Sequence, residues 1–172
     1  DLIAWCKERN IDLWESGLKI YTTLDSRMQQ YAEEAMEESM KVQQKAFDTH
    51  WQGKNPWIDE NWREIKGYLQ SKIKHTDTYK NLVAKYGAGD YSVNIMLNLK
   101  KRMTVFSWDG ERDTLFSSMD SLNYYKRFLN CGFMSMDPTS GAIKAWVGGI
   151  NHKYFKYDHV RQGKRQPGSS FK

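Results

Sequence analysis

The residues best suited to chemistry stand at the end of the sequence, in RQPGSSFK (165–172). Ser169 and Lys172 are three apart, so on a helix they share a face and their hydroxyl and amine come within hydrogen-bond reach. A serine hydroxyl is a weak nucleophile until a neighbouring base takes its proton. A lysine does this once burial or a nearby cation lowers its pKa. Pro167-Gly168 sets the entry to such a helix, whose N-terminal N–H groups favour a developing oxyanion. Ser170 is the rival nucleophile, but it has no lysine three residues on. Spacing alone is weak: Ser16–Lys19 and Ser71–Lys74 fit the same pattern. Neither of those follows a hairpin and a Pro-Gly step, so context distinguishes Ser169.

The elements that would position this pair are legible to different degrees. Gly132 to Met136 reads as a strand, Asp137-Pro138-Thr139-Ser140-Gly141 as a turn, and Ala142 to Val147 as the returning strand. Gly148-Gly149 closes the hairpin, and a basic, aromatic loop leads from it to Arg165. Upstream, GLKIYTTLD (17–25) alternates as a short strand. A helix of about five turns follows, with Met28, Ala32, Ala35, Met36 and Met40 on one face and glutamates on the other. Ser26 and Gln29 have capping-box spacing, and Asp25 is the competing cap. Ile58, Trp62, Ile65, Leu69 and Ile73 step at helical intervals, and Thr76-Asp77 opens a second short helix ending at Gly87. Val93, Ile95, Leu97 and Leu99 alternate, which predicts a half-buried strand. Met103 to Trp108 is a further strand turning at Asp109-Gly110. Ser118-Met119-Asp120 opens a helix that Gly132 is placed to end. The predicted class is α+β.

Composition sets outer limits. The 172 residues are 40% hydrophobic and 14% aromatic, with seven Trp and ten Tyr, which excludes disorder for most of the length. Net charge is +5, with the cations spread out rather than concentrated on one element, so nucleic acid is not an expected partner. Nothing in the sequence is long and apolar enough to span a membrane. Cys6 and Cys131 have no metal spacing, and either pair or stay as buried thiols. The four histidines share no ligand spacing, and Asp59, Glu60 and Glu111 read as solvated carboxylates. No metal or cofactor is expected.

DPTSGAIKAWVGG followed by RQPGSSFK resembles the opening of the transpeptidase domain of penicillin-binding proteins. GLKIYTTLDSRMQQYAEEAM resembles the stretch that enters this domain in the class A, bifunctional members. The two stretches occur in the right order and span about a third of the chain. The resemblance implies a partial transpeptidase domain of the penicillin-binding and β-lactamase kind. It divides the chain into a linker strand and helix (1–47), an inserted or linker subdomain (48–130) and the start of the transpeptidase domain (131–172). It further implies Ser169 as the acylated nucleophile and Lys172 as general base in D,D-transpeptidation of peptidoglycan stem peptides, with β-lactams as inhibitors. A glycosyltransferase and a membrane anchor would precede this chain in a protein of the inner membrane's periplasmic face, so membrane contact would come only through that part.

The family also uses a Ser-x-Asn element and a Lys-Thr-Gly strand downstream of the serine. The two Ser-x-Asn matches here, Ser92–Asn94 and Ser121–Asn123, lie upstream, and Lys-Thr-Gly does not occur. The expectation is therefore a soluble piece of a longer enzyme, inactive by itself. A second reading makes residues 1 to about 130 an interaction module for a regulatory protein, supported by the tryptophans of WQGKNPWIDENW (51–62). A β-lactamase or carboxypeptidase shares Ser-x-x-Lys but does not predict GLKIYTTLD upstream.

Overall fold

The computed structural model describes residues 2–164; Ser169 and Lys172 lie outside them. The described residues fold as α+β. In chain order they form α1 (Leu2–Glu8), α2 (Ser26–His50), α3 (Tyr68–Ile73), α4 (Asp77–Tyr86), α5 (Tyr91–Asn98), β1 (Lys101–Val105), β2 (Arg112–Phe116), α6 (Ser118–Lys126), β3 (Phe133–Met136) and β4 (Ile143–Val147). β1 pairs antiparallel with β2, and β3 with β4, as two separate ladders.

Local signals decide most helix starts. Asp25 caps α2, its carboxylate accepting from the N–H groups of Arg27 and Met28. The Ser26–Gln29 capping box does not form, because the Gln29 amide is engaged with β4. Helix α2 runs 25 residues, longer than the apolar stripe predicts. Thr76 caps α4, and Ser117 with Asp120 forms a complete capping box on α6. Helix α6 ends at Lys126, with Arg127 as its C-cap, rather than at Gly132. Gly132 is instead a point of close approach, where a Cβ would lie 2.9 Å from Val160.

Three readings of the sequence are corrected. The stretch read as a strand over residues 93–99 lies in helix α5 (Tyr91–Asn98) up to Asn98, with Leu99 as the extended residue that follows it. Asp90 caps the helix, and Val93 and Leu97, one turn apart, are buried while Ile95 and Leu99 stay exposed. The alternation therefore satisfied period two only in the sequence; the packing uses period four. Residues 17–25 form no strand and join no ladder. Their end lies along β4 through the Asp25 N–H to the Lys144 carbonyl (2.9 Å) and the Thr23 hydroxyl to the Ile143 carbonyl (2.7 Å). The helical stepping from Ile58 to Leu69 is also not a helix. Ile58 bridges Glu64, Trp62 sits at φ 61°, and the chain turns helical only after Gly67 at φ 70°.

Two cores hold these elements. In the smaller, Ile73, Val93 and Leu97 pack with Tyr79, Leu82, Val83 and Leu122, joining α3 to α6. In the larger, Phe106 sits just past β1 among the rings of Trp108, Phe128, Tyr154 and Phe155, at centroid separations of 5.3 to 5.9 Å. Met40 of α2 and Ile150 complete it. The backbone of Phe106 is satisfied by consecutive residues of α6. Its N–H donates to the Tyr125 hydroxyl (3.2 Å), and its carbonyl accepts from the Tyr124 hydroxyl (2.6 Å). Burial pushes the Tyr124 phenol up, which keeps the donated proton in place. Buried Gln44 ties α2 to the end of α6: its amide donates to the Arg127 carbonyl and accepts from the Leu129 N–H.

Cys6 is buried and Cys131 half-buried, and both are free thiols. Burial raises the Cys131 pKa, which suits a packing residue rather than a nucleophile.

Two substitutions test this account by urea denaturation. Phe106→Ala should cost about 3–5 kcal/mol, the range for removing a buried aromatic ring. Gln44→Leu should cost about 1–3 kcal/mol by leaving the Leu129 N–H and Arg127 carbonyl unpaired. A cost below 1 kcal/mol for Phe106→Ala would show that the ring cluster does not organise the fold.

Candidate functional site

The candidate site is the groove beside the β3–β4 hairpin, along the segment that leads toward Ser169. Asp137 builds the hairpin turn, its carboxylate accepting from the N–H groups of Thr139 (2.8 Å) and Ser140 (3.1 Å). Gly141 closes the turn at φ 71°, a conformation that other residues adopt only with strain. β4 is held against the start of α2 on its far side. The Gln29 side chain accepts from the Trp146 N–H (2.8 Å) and donates to the Trp146 carbonyl (3.0 Å). It thus gives one residue of β4 the bonding pattern of a neighbouring strand.

Beyond Val147, Gly148 admits the next segment closely. A Cβ there would lie 2.9 Å from the Asp158 carboxyl carbon. The Asp158 carboxylate accepts from the Trp146 indole (3.0 Å), the Val160 N–H (2.9 Å) and the Arg161 N–H (3.0 Å). The His159 N–H donates to the Gly148 carbonyl (2.7 Å). Residues 157–163 are therefore clamped to the end of β4. Gly163 tightens the clamp further, since a Cβ there would collide with the His159 carbonyl oxygen. Burial opposes ionisation of Asp158, but the Arg161 N–H, the Trp146 indole and the Val160 N–H outweigh it and hold the carboxyl below its ordinary range.

These pieces enclose a groove of about 500 Å³ between α2 and residues 146–158. Glu33 and Glu37 line it from the helix, and His152, Lys156 and Asp158 from the loop. The loop is also pinned to β2's hairpin by the ion pair of Lys153 with Glu111. Among the described residues no group of His, Cys, Asp or Glu is gathered to hold a metal ion, and no helix is long and apolar enough to cross a membrane.

The predicted hairpin and its turn stand where the sequence places them. Glu111, read as solvated, carries an exposed ion pair. Asp59 is a turn residue, its carboxylate accepting from the Asn61 and Arg63 N–H groups. His159 packs edge-on against Tyr157. Of the three tryptophans in 51–62, Trp51 and Trp57 are half-buried and only Trp62 is exposed, at 75%. Sequence reasoning missed Asp158 and Gln29. Their long-range partners, Trp146 in both cases, lie 12 and 117 residues away, so no local pattern reveals those bonds.

Residues 52–129 match the family model described as the penicillin-binding protein middle domain. This is nearly the segment that carries no motif of its own in the sequence. Over 92% of its length the chain is 26% identical to a Rickettsia felis protein and 27% identical to an Aquifex aeolicus protein, both called penicillin-binding protein 1A. A stretch of 39 residues is 51% identical to the Pseudomonas aeruginosa protein of the same name, covering 23% of this chain and 5% of that protein. The chain spans about a fifth of the length of the first two relatives, 22% of each. No solved structure matches the chain.

The Asp158 clamp sets a pH dependence. A carboxylate held below its ordinary pKa of 3.8 contributes stability that is complete above that pH. The contribution disappears as pH falls through the lower folded value. Amide exchange in residues 157–163 should therefore accelerate below pH 3.8, and Asp158→Asn should flatten that response. An acceleration in Asp158→Asn as steep as in the unaltered chain would remove Asp158 as the clamp.

Proposed function

We propose that the chain, which resembles penicillin-binding protein 1A sequences over most of its length and the penicillin-binding protein middle domain over residues 52–129, contributes the linker region and the first part of the transpeptidase domain to a peptidoglycan synthase. In this reading residues 1–47 enter the domain, 48–130 form the intervening subdomain and 131–172 begin the transpeptidase. Ser169 is the nucleophile and Lys172 its general base. The Ser169 hydroxyl attacks the carbonyl of the penultimate D-Ala of a stem peptide while its proton passes to Lys172. The terminal D-Ala leaves as the amine, and an amine of a neighbouring stem then resolves the acyl-enzyme. A β-lactam, mimicking the dipeptide, acylates the same serine. The parent is anchored in the inner membrane by a preceding segment and works on its periplasmic face.

The observation that carries this reading is the hairpin and its clamp. β3 and β4, the Asp137 turn and the Asp158 bonds give the segment before Arg165 a fixed departure from the end of β4. A nucleophile on a short helix needs such a fixed approach. β3 also presents Phe133, Met134 and Met136 at 41–50% exposure, as befits the start of a larger sheet.

A second reading, in which residues 1 to about 130 receive a regulatory protein of the cell-wall synthase, is favoured by the exposure of Trp62. It stands exposed at φ 61°, held there by the turn of Asp59, an unusual conformation for a bulky residue.

Intact mass before and after incubation with excess penicillin tests the first reading. The 172-residue chain, of 20.3 kDa, should take up no drug, because it contains no Lys-Thr-Gly. A longer chain that includes the downstream elements should take up one equivalent, and Ser169→Ala should abolish it. An adduct in that variant would overturn Ser169 as nucleophile.

A further inference from the structure

A second concavity, well away from the hairpin, lies where the connection from α2 to α3 meets the end of α6. It measures about 360 Å³, within the range of small-ligand sites. Asn123 and Arg127 line it from one face of α6's last turn, four residues apart. Lys54 lines it from the opposite connection, beside Gly53 at φ 71°. Its apolar side is Trp57 with Leu69, and Trp57 stacks on Tyr68 at 4.6 Å and 17°. Outside the lining, Lys72 stands over the Tyr68 ring.

The electrostatics of this place are unbalanced. No carboxylate lines it. Glu64 is the nearby acid on the connection, but it accepts from the Asn55 amide (2.7 Å). Asp48 is the nearby acid on α2 and accepts from the Gln44 amide (3.0 Å). Neither pairs with Arg127. Among the described residues the Arg127 guanidinium has no ion pair and no hydrogen-bond acceptor, and its Nε is shielded from solvent without a partner. The Arg127 main chain is meanwhile fixed, its N–H bonded to Tyr124 and Tyr125 and its carbonyl to Gln44. A guanidinium held in place with its donors unused is a ready partner for an anion.

We propose that this concavity is a binding site for a carboxylate carried by a short peptide or amino-acid unit. Arg127 and Lys54 supply charge and Asn123 an amide donor. The planar guanidinium fork matches a planar carboxylate. The Trp57 and Leu69 wall takes the aliphatic part next to it, which inorganic phosphate lacks. The site uses no residue of the Ser169 reading and stands whether or not that reading holds.

The probe is N-acetyl-leucine, with its uncharged counterpart N-acetyl-leucinamide and inorganic phosphate as comparisons. Binding is read from the chemical shifts of the Arg127 Nε–H and the Asn123 side-chain amide in the 172-residue chain. N-acetyl-leucine should shift both signals saturably with a Kd on the order of 1–10 mM. The leucinamide should leave them in place. Lys54→Gln, a change in an exposed connection, and Arg127→Gln should each weaken binding roughly tenfold, as expected for loss of a charge-assisted contact. Equal shifts with the leucinamide, or unaltered affinity in Lys54→Gln, would overturn the proposal. Binding of phosphate as strong as that of N-acetyl-leucine would overturn its peptide part.

Discussion

The structure depends on the burial of Phe106 with its backbone still satisfied. A residue just past the end of a two-stranded ladder leaves its main-chain groups without strand partners, and burying them unpaired would cost several kcal/mol. Tyr124 and Tyr125 solve this from one helix turn. Their hydroxyls cap the strand end while their rings join the same aromatic cluster. Around that point α2, α6 and the segment after β4 meet. Two-stranded ribbons are marginal alone, so neither ladder of this chain would hold its place without that junction.

The same logic governs the polar residues inside. Gln44 and Gln29 both project from α2, and both act as backbone substitutes, each offering a donor and an acceptor from one planar amide. Gln44 fastens the chain leaving α6, and Gln29 fastens β4. A long helix with two such residues about four turns apart works as a spine on which the middle region and the hairpin are set independently. The middle region matches its family model, and the hairpin carries the segment toward Ser169. The relation between them is set by α2.

How far the sequence revealed this varied with the range of the interaction. Caps and turns read correctly where the partner lies within four residues, as at Thr76, Ser117 and Asp137. The hairpin was legible for the same reason. Helix α5 was misread because its eight residues are too few for periods of two and four to separate, and Val93 and Leu97 satisfy both. The 58–69 stepping was misread because apolar spacing cannot register that Trp62 adopts a left-handed conformation. The ring cluster around Phe106 was invisible because its members come from parts of the chain tens of residues apart. Gln29, Gln44 and Asp158 look like ordinary solvated residues until the fold supplies their partners. Of the candidate site, the frame was legible and the clamp was not.

The pairing of Gln29 with Trp146 has a consequence for assembly. A sheet grows by adding strands to whichever edge offers free N–H and C=O groups. On β4 the glutamine amide and the Thr23–Asp25 segment already occupy those groups, and α2 stands in the way of a newcomer. Among the described residues β3 pairs only with β4. The hairpin is thus a seed with a polarity: any further strand must join on the β3 side, and the chain dictates the direction of growth before that strand arrives.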